Sequence, residues 1–195
     1  MTSEENEDWQ PQSGLDVLLM LLYAPEHGEE STPVKGITRL DKLVFLLSRF
    51  DEFEGLFKDD YDFVPYNFGP FATELLDDLE ALKSQKVISA TKEKSTRASE
   101  TRDAEAIDEE TGELDDSDVT WDMYDYEVYR LTEAGQDIAK RIYSAATKEQ
   151  REIVRRIKER FNQKSLTGLL RYVYKTYPYY AKESNIRPKI LGRSA

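Results

Sequence analysis

Cysteine does not occur in this chain of 195 residues and histidine occurs once, which removes several classes of chemistry at the outset. Without cysteine the chain forms no disulfides, iron–sulfur clusters, thiolate nucleophiles or thiolate zinc sites. The single histidine, His27, lies between Glu26 and Gly28 in a predicted loop, and no second histidine exists to complete a metal site. We therefore interpret His27 as an ordinary loop residue.

Long apolar runs and catalytic loops are also missing from the sequence. No stretch approaches the roughly 18 apolar residues that a membrane-spanning helix needs. Residues 1–9 are acidic where an export signal would be basic and then apolar, so we expect a cytoplasmic protein with no membrane segment. Glycine-rich phosphate loops and the Gly-x-Ser-x-Gly turn do not occur. We predict no catalytic residue, no metal site and no cofactor, and hence no enzyme.

The net charge of −12 is distributed unevenly along the chain. Residues 1–80 carry 19 acidic and 5 basic side chains, a net −14, whereas residues 140–175 carry 3 acidic and 11 basic side chains, a net +8. Such segregation lets an acidic protein offer a basic face to phosphates, or lets its own halves attract each other. Composition alone leaves both interpretations open.

Hydrophobic periodicity predicts a mostly α fold of the α+β class. Segments with helical spacing begin at capping residues or prolines, namely Ser13, Thr38, Pro70, Thr132, Thr147 and Ser165. Residues 87–91 and 124–131 have the pattern of strands and are predicted to pair as a two-stranded hairpin, and residues 63–66 are predicted as a further short strand. This element order predicts a winged-helix-like core with a C-terminal helical extension.

We predict four parts along the chain. Residues 1–12 are a disordered acidic N-terminus, and residues 13–146 form the winged-helix-like domain. Inside that domain, residues 92–122 have few apolar side chains and a net charge of −8, which predicts a disordered acidic insertion at the tip of the hairpin. Residues 147–180 form basic helices packed on the core, and residues 181–195 form a tail.

Three short motifs carry a resemblance to a known family. They are the segment Thr-Arg-Leu-Asp-Lys-Leu-Val-Phe-Leu-Leu of residues 38–47, the aromatic-flanked Gly69 and Pro70, and a Tyr-x-Leu-Thr-x-x-Gly step that supplies Leu131, Thr132 and Gly135. Together they resemble the Panacea or SocA-like antitoxin domain and its YwgA-like relatives over residues 13–180. One departure is the segment Pro-Tyr-Asn-Phe before Gly69, where the family pattern has a tryptophan. The resemblance implies an antitoxin that binds a partner protein and catalyses no reaction.

The helix predicted from Pro70 takes the place of the recognition helix, which normally enters the major groove of DNA. Its outer face is acidic and carries Glu74, Asp77, Asp78 and Glu80. Duplex DNA has one phosphate charge per roughly 1.7 Å of axis, so this face would be repelled. We predict that it binds a basic partner protein, such as a toxin, or the chain's own basic tail, and a solvated helix face is the alternative interpretation.

The basic C-terminal helices support a second hypothesis. Arg151, Arg155 and Lys158 form one predicted exposed stripe, and Arg171 with Lys175 forms another. Tyrosines lie among these cations and suit base stacking. The first hypothesis is therefore a non-catalytic binding module of the antitoxin or adaptor type. The alternative is a winged-helix DNA-binding transcriptional regulator that contacts duplex DNA through these helices, and a purely structural use of the same residues is the other interpretation.

Overall fold

The computed structural model describes residues 10–29, 31–57, 60–94 and 125–192. The predicted disordered N-terminus up to residue 9 lies outside the described residues, as does the predicted insertion from residue 95 onward. Both predictions therefore remain untested.

Two of the predicted boundaries differ from those in the structure. Pro11 is buried, so packed chain begins before residue 13. Lys92 lies opposite Glu127 and Lys94 opposite Asp125, so the hairpin extends three residues into the predicted insertion. The opposite charges of Lys92 and Glu127 on facing positions favour pairing, so the charged composition of this stretch is compatible with a strand.

Two helices, a short strand and a third helix form the first part of the fold: α1 (Gly14–Tyr23), β1 (Val34–Lys35), α2 (Ile37–Leu47) and α3 (Thr73–Ser84). Ser13 caps α1 as predicted, since its Oγ accepts from the backbone N–H of Asp16 at 3.1 Å. The helix α2 begins one residue before Thr38, and its N-cap is Gly36 at φ 85° with no side-chain cap. The prediction that Thr38 caps this helix was therefore wrong.

Pro70 does not begin a helix, contrary to the prediction. It lies in strand β3 (Gly69–Phe71), which pairs antiparallel with β2 (Val64–Tyr66), and the helix α3 starts after the N-cap Ala72. A proline suits a strand position whose N–H is not needed by a neighbouring strand, and its fixed φ is compatible with extended chain.

A second, three-stranded sheet contains the predicted hairpin. Strand β4 (Ile88–Lys94) pairs antiparallel with β5 (Asp125–Leu131), and β1 pairs with the other edge of β5, giving the order β1-β5-β4. The hairpin is confirmed, whereas β1 is a strand of two residues that periodicity did not reveal. The predicted mostly α, α+β class is confirmed, and the winged-helix description stays a prediction.

The C-terminal part is helical: α4 (Glu133–Ala145), α5 (Lys148–Phe161), α6 (Leu166–Thr176), a 3-10 turn at Pro178–Ala181 and α7 (Arg187–Leu191). Thr147 and Gln150 form the predicted capping box of α5. The helices α5 and α6 pack on α2, and α5 also contacts α1. Ile190 of α7 is buried, so the predicted tail from residue 181 is packed structure as far as the described residues extend.

The Leu-Thr-x-x-Gly step joins the sheet to α4. Thr132 caps α4 through a hydrogen bond from Gly135 N at 3.1 Å, while its own hydroxyl donates to Lys86 O at 2.6 Å. A Cβ on Gly135 would lie 1.9 Å from the carbonyl oxygen of Val87, so only glycine allows the first turn of α4 to approach that strand. This close approach fixes the angle at which α4 leaves the sheet.

Two glycines at the same helical position give a matched test of that close approach. Gly135 and Gly168 are both third residues of helices capped by a hydroxyl side chain, but a Cβ on Gly168 meets only side-chain atoms, of Lys164 and of the capping Ser165, at 3.0–3.2 Å. We expect Gly135→Ala to lower the free energy of unfolding by about 2 kcal/mol or more, because backbone must move. Gly168→Ala should change it by less than about 1 kcal/mol, because the gain in helix propensity is offset by small shifts of the Lys164 and Ser165 side chains and no backbone has to move. Urea denaturation of both variants measures the difference, and equal effects would contradict this packing.

Candidate protein-binding site

A buried ion pair lies where two of the motif segments meet. The ammonium of Lys42 in α2 is 2.6 Å from Asp41 Oδ2 and donates to the carbonyl oxygen of Pro70 at 2.7 Å. Both side chains are almost fully buried, at 2% and 3% exposure. Burial raises the pKa of Asp41, and the adjacent charge of Lys42 opposes that rise. The pair therefore ties the hairpin of β2 and β3 to α2.

Gly69 and Tyr174 make the second connection of this hairpin to the helices. Gly69 has φ 91°, which favours glycine, and a Cβ there would lie 2.7 Å from Tyr174 Cε1. Tyr174 is itself buried, and its hydroxyl shares a hydrogen bond of 2.8 Å with Ser184 Oγ. The glycine of the Gly-Pro motif is thus required both by its backbone conformation and by the ring packed against it.

The turn of the same hairpin is held from a third side. Asn185 N donates to Asn67 O at 3.1 Å, and Asn185 Nδ2 donates to Asn67 Oδ1 at 3.0 Å. The strands β2 and β3 also contact the 3-10 turn Pro178–Ala181. These contacts together fix the position of the hairpin within the fold.

Exposed apolar side chains cluster on this hairpin and on the 3-10 turn that contacts it. The aromatic patch, as we name it, consists of Val64, Tyr66, Phe68 and Tyr179, which are 45%, 50%, 39% and 61% exposed. Tyr66 stacks on Phe71 with 5.1 Å between ring centroids and 28° between ring planes. Two other large apolar side chains are comparably exposed in the described part of the chain, and both lie on other elements, so the patch is a local concentration.

Sequence reasoning missed the aromatic patch, although one signal was present. The segment that departs from the family pattern, between residues 65 and 68, supplies two of its aromatic side chains. Their exposure depends on the hairpin, and the contribution of Tyr179 comes from a distant part of the chain. Neither could be recognised from local periodicity.

The predicted acidic face of α3 is divided in the structure. Asp78 Oδ2 accepts a hydrogen bond from the hydroxyl of Tyr61 at 2.7 Å, and Glu80 forms an ion pair with Lys83. Glu74 and Asp77 are exposed and make no ion pair within the described residues. The hydrogen bond to Asp78 adds to the effect of burial in raising the pKa of Tyr61.

One of the unpaired carboxylates of α3, Glu74, follows the β2–β3 hairpin closely in sequence. Glu74 is only three residues beyond Phe71, the ring on which Tyr66 stacks, so their Cα atoms are at most about 11 Å apart. An apolar surface with acidic side chains at its border can bind a surface of apolar and basic character.

Lys158 was predicted to be an exposed contact to DNA, and this prediction is wrong because the side chain is buried. Its side chain is fully buried, and its Nζ donates to Leu22 O at 3.0 Å and Ala24 O at 2.9 Å at the carboxyl end of α1. Burial lowers the pKa of Lys158 to about 7, opposed by the charge of Glu26. A neutral amine retains two N–H groups, which is sufficient for both carbonyl acceptors.

Most of the remaining predicted DNA contacts are occupied within the chain. Arg151 donates to the backbone carbonyls of Ser144 and Ala146, and Arg171 donates to the carbonyl of Ile190. The guanidinium of Arg155 lies 2.6 Å from carboxylate oxygens of both Glu152 and Glu159.

Lys175 differs from the other predicted DNA contacts, because it is exposed and has no ion pair among the residues described. The structure therefore does not bring the five predicted cations together as a free basic face.

Comparisons with protein-family models, curated proteins and solved structures found no match for the chain. The resemblance to the Panacea or SocA-like domain therefore stays a prediction. In the described residues, no group of three or more His, Cys, Asp or Glu side chains is placed to hold a metal ion. No helix of the described part is long and apolar enough to cross a bilayer.

The buried amine of Lys158 predicts a specific pH dependence of stability. Between about pH 7 and pH 10 the unfolded chain binds a proton on Lys158 that the folded chain lacks, because the folded pKa is about 7 and the ordinary value is 10.5. The free energy of unfolding of the wild type should therefore rise with pH relative to Lys158→Met, by about 1.4 kcal/mol per pH unit. Below about pH 7 the difference should level off.

Urea unfolding of the wild type and Lys158→Met across this range measures that difference. Taking the difference cancels the titration of the tyrosines and carboxylates that the two proteins share. A difference that does not change with pH would show that Lys158 keeps its charge in the folded chain.

Proposed function

We propose that this chain is a non-catalytic binding module that engages a partner protein through the aromatic patch. The observation that carries the proposal is the exposure of four apolar side chains, three of them on a hairpin braced from three sides and the fourth, Tyr179, on the 3-10 turn that contacts this hairpin. The partner surface that fits is apolar at its centre and basic where it faces Glu74 and Asp77.

Rigid aromatic side chains suit such a role for energetic reasons. Tyrosine offers a large contact area with few rotatable bonds, and aromatic residues are enriched among the side chains that dominate binding energy. Because Lys42, Gly69 and Asn67 hold the backbone in advance, little conformational entropy is lost when the partner binds.

The exposed carboxylates contribute specificity and speed of encounter. Glu74 and Asp77 belong to the segment of residues 1–80 with a net charge of −14, so a basic partner is attracted and an acidic one is repelled. Over distances beyond about 8 Å this attraction is screened at physiological salt, so it acts mainly at close approach. Asp78 and Glu80 are engaged within the chain and play a smaller part.

We propose that the chain acts in the cytoplasm as an antitoxin or an adaptor. The support for this proposal is the resemblance of the motif segments, together with the role of those segments in the structure. Gly69 and Pro70 build the hairpin, while Leu131, Thr132 and Gly135 join the sheet to α4. In this interpretation the motifs maintain the scaffold and the aromatic patch selects the partner.

DNA binding by the C-terminal helices remains the alternative proposal, and it has weaker support. Of its five proposed contacts Lys158 is buried, and only Lys175 among these five is exposed and makes no ion pair with a described residue. Retention of duplex DNA at low salt that weakens as salt is added would favour this alternative.

Photo-crosslinking from defined positions tests the proposed function. A benzophenone amino acid is introduced in place of Tyr66, of Tyr179 or of Ile138, and the chain is expressed at its native level. Ile138 is the matched control, because it is an apolar side chain of α4 that is 42% exposed. We expect one and the same protein to be crosslinked from positions 66 and 179 but not from 138.

The acidic border is tested on the protein identified in this way. Once that partner is purified, Glu74→Lys combined with Asp77→Lys should weaken its binding by about tenfold or more, since attraction becomes repulsion. Glu133→Lys with Asp137→Lys, two exposed acids of α4, is the charge-matched control and should have little effect. Failure to obtain an adduct from either patch position, or the same adduct from all three, would refute the proposed site.

A further inference from the structure

A groove distinct from the aromatic patch lies between α5, α6 and the chain that follows α2. Its volume is about 420 Å³, which is large enough for one bulky side chain with its neighbouring backbone. Ile153 and Ile157 of α5 lie on one side of it, together with the buried ring of Phe161 and the partly exposed rings of Phe50 and Tyr172. The apolar lining is Phe50, Ile153, Ile157, Phe161 and Tyr172.

Two arginines give this groove its charge. Arg156 and Arg160 line it from the same helix, about 6 Å apart along the helix axis. Both are exposed, and neither forms an ion pair with any residue described in the structure. Glu159 also lines the groove, and its carboxylate accepts from Arg155 at 2.6 Å, a cation that it shares with Glu152.

One of these arginines is already oriented for binding. The guanidinium of Arg160 lies 5.2 Å from the ring centroid of Phe161 and 5.1 Å from that of Tyr172. Stacking uses the planar faces of a guanidinium and leaves the N–H groups at its edge available to a carboxylate. The rings thus hold a cation at the mouth of an apolar groove.

We infer that this groove binds an acidic segment of a partner protein that inserts a single bulky apolar side chain between carboxylates. The apolar anchor would contact Ile153 and Ile157, and the flanking carboxylates would pair with Arg156 and Arg160. This site uses α5 and α6, whereas the aromatic patch uses the β2–β3 hairpin, so either can exist without the other.

A peptide fits these features better than a nucleic acid does. Nucleic-acid binding needs a row of free cations along the backbone, but the neighbouring Arg151 and Arg155 are engaged with carbonyls and carboxylates. Two cations beside a groove for one side chain match a short acidic peptide in both charge and size.

Binding of a defined peptide to the full chain tests the inference. The probe is a fluorescein-labelled, capped peptide with tryptophan flanked on each side by two glutamates in a Gly-Ser background. Matched probes replace the glutamates by glutamine, the glutamates by lysine, or the tryptophan by alanine. We expect the acidic tryptophan probe to bind most tightly in fluorescence anisotropy, with about a tenfold loss for each neutral or alanine probe.

Charge reversal locates the probe on the protein. Arg156→Glu with Arg160→Glu should weaken binding of the acidic probe by about tenfold or more and should favour the lysine probe instead. Lys140→Glu with Lys148→Glu changes the net charge by the same amount at exposed positions outside the groove, and should alter binding less than about twofold. Circular dichroism of each variant checks that the fold is kept.

Other outcomes would overturn the inference. Equal losses in the two charge-reversal variants would indicate diffuse electrostatic attraction, and equal binding of the alanine probe would show that no side chain enters the groove. Displacement of the probe by single-stranded DNA would point to a nucleic acid as the occupant. Binding that appears only after removal of residues 1–9 would identify this acidic segment of the chain itself as the occupant.

Discussion

The ammonium of Lys42, buried between Asp41 and the carbonyl of Pro70, is the contact on which the position of the β2–β3 hairpin and its aromatic patch depends. A buried charge is costly unless it is paired and hydrogen-bonded, so Lys42 is satisfied only when the hairpin lies against α2. The requirement also acts in reverse, because the Pro70 carbonyl has no strand partner at this point and takes its hydrogen bond from the helix. A local strand pair of three residues on each side thereby gains a fixed position that its own hydrogen bonds would not supply.

The proposed function follows from this brace. With the backbone held by Lys42, by Gly69 against Tyr174 and by Asn67 against Asn185, the outward side chains of the hairpin stay exposed instead of folding into the core. In the second proposed site, too, side chains are held by their packed neighbours, since Phe161 and Tyr172 contact Arg160 beside an apolar groove. Both surfaces combine a rigid apolar centre with charge at the border, and the charges are opposite in sign. A single chain of this kind can hold two partners, or two parts of one partner.

Long periodic helices and their caps could be predicted from sequence because the forces that form them are local. Ser13 and the Thr147 capping box lie at their predicted positions for this reason. Pro70 was misassigned because its conformation is decided by β2 and by Lys42, which is 28 residues away. Lys158 shares helical spacing with the partly exposed Arg151 and Arg155, but its carbonyl acceptors lie 134 and 136 residues earlier, and no local pattern reports them. The aromatic patch and the groove beside Arg156 and Arg160 also assemble from distant segments. The acidic and basic stripes of the sequence alone therefore did not reveal either site.

Amide hydrogen exchange in a variant that removes the buried pair tests the central claim most directly. Asp41→Asn combined with Lys42→Met eliminates both charges together, so no unpaired ion remains to destabilise the whole fold. We expect exchange of the β2–β3 amides to accelerate by about tenfold or more, while the β4–β5 amides in the same molecule change little. Equal acceleration in both hairpins would show only general destabilisation, and unchanged exchange of the β2–β3 amides would contradict the claim that the Lys42 pair holds the binding surface in place.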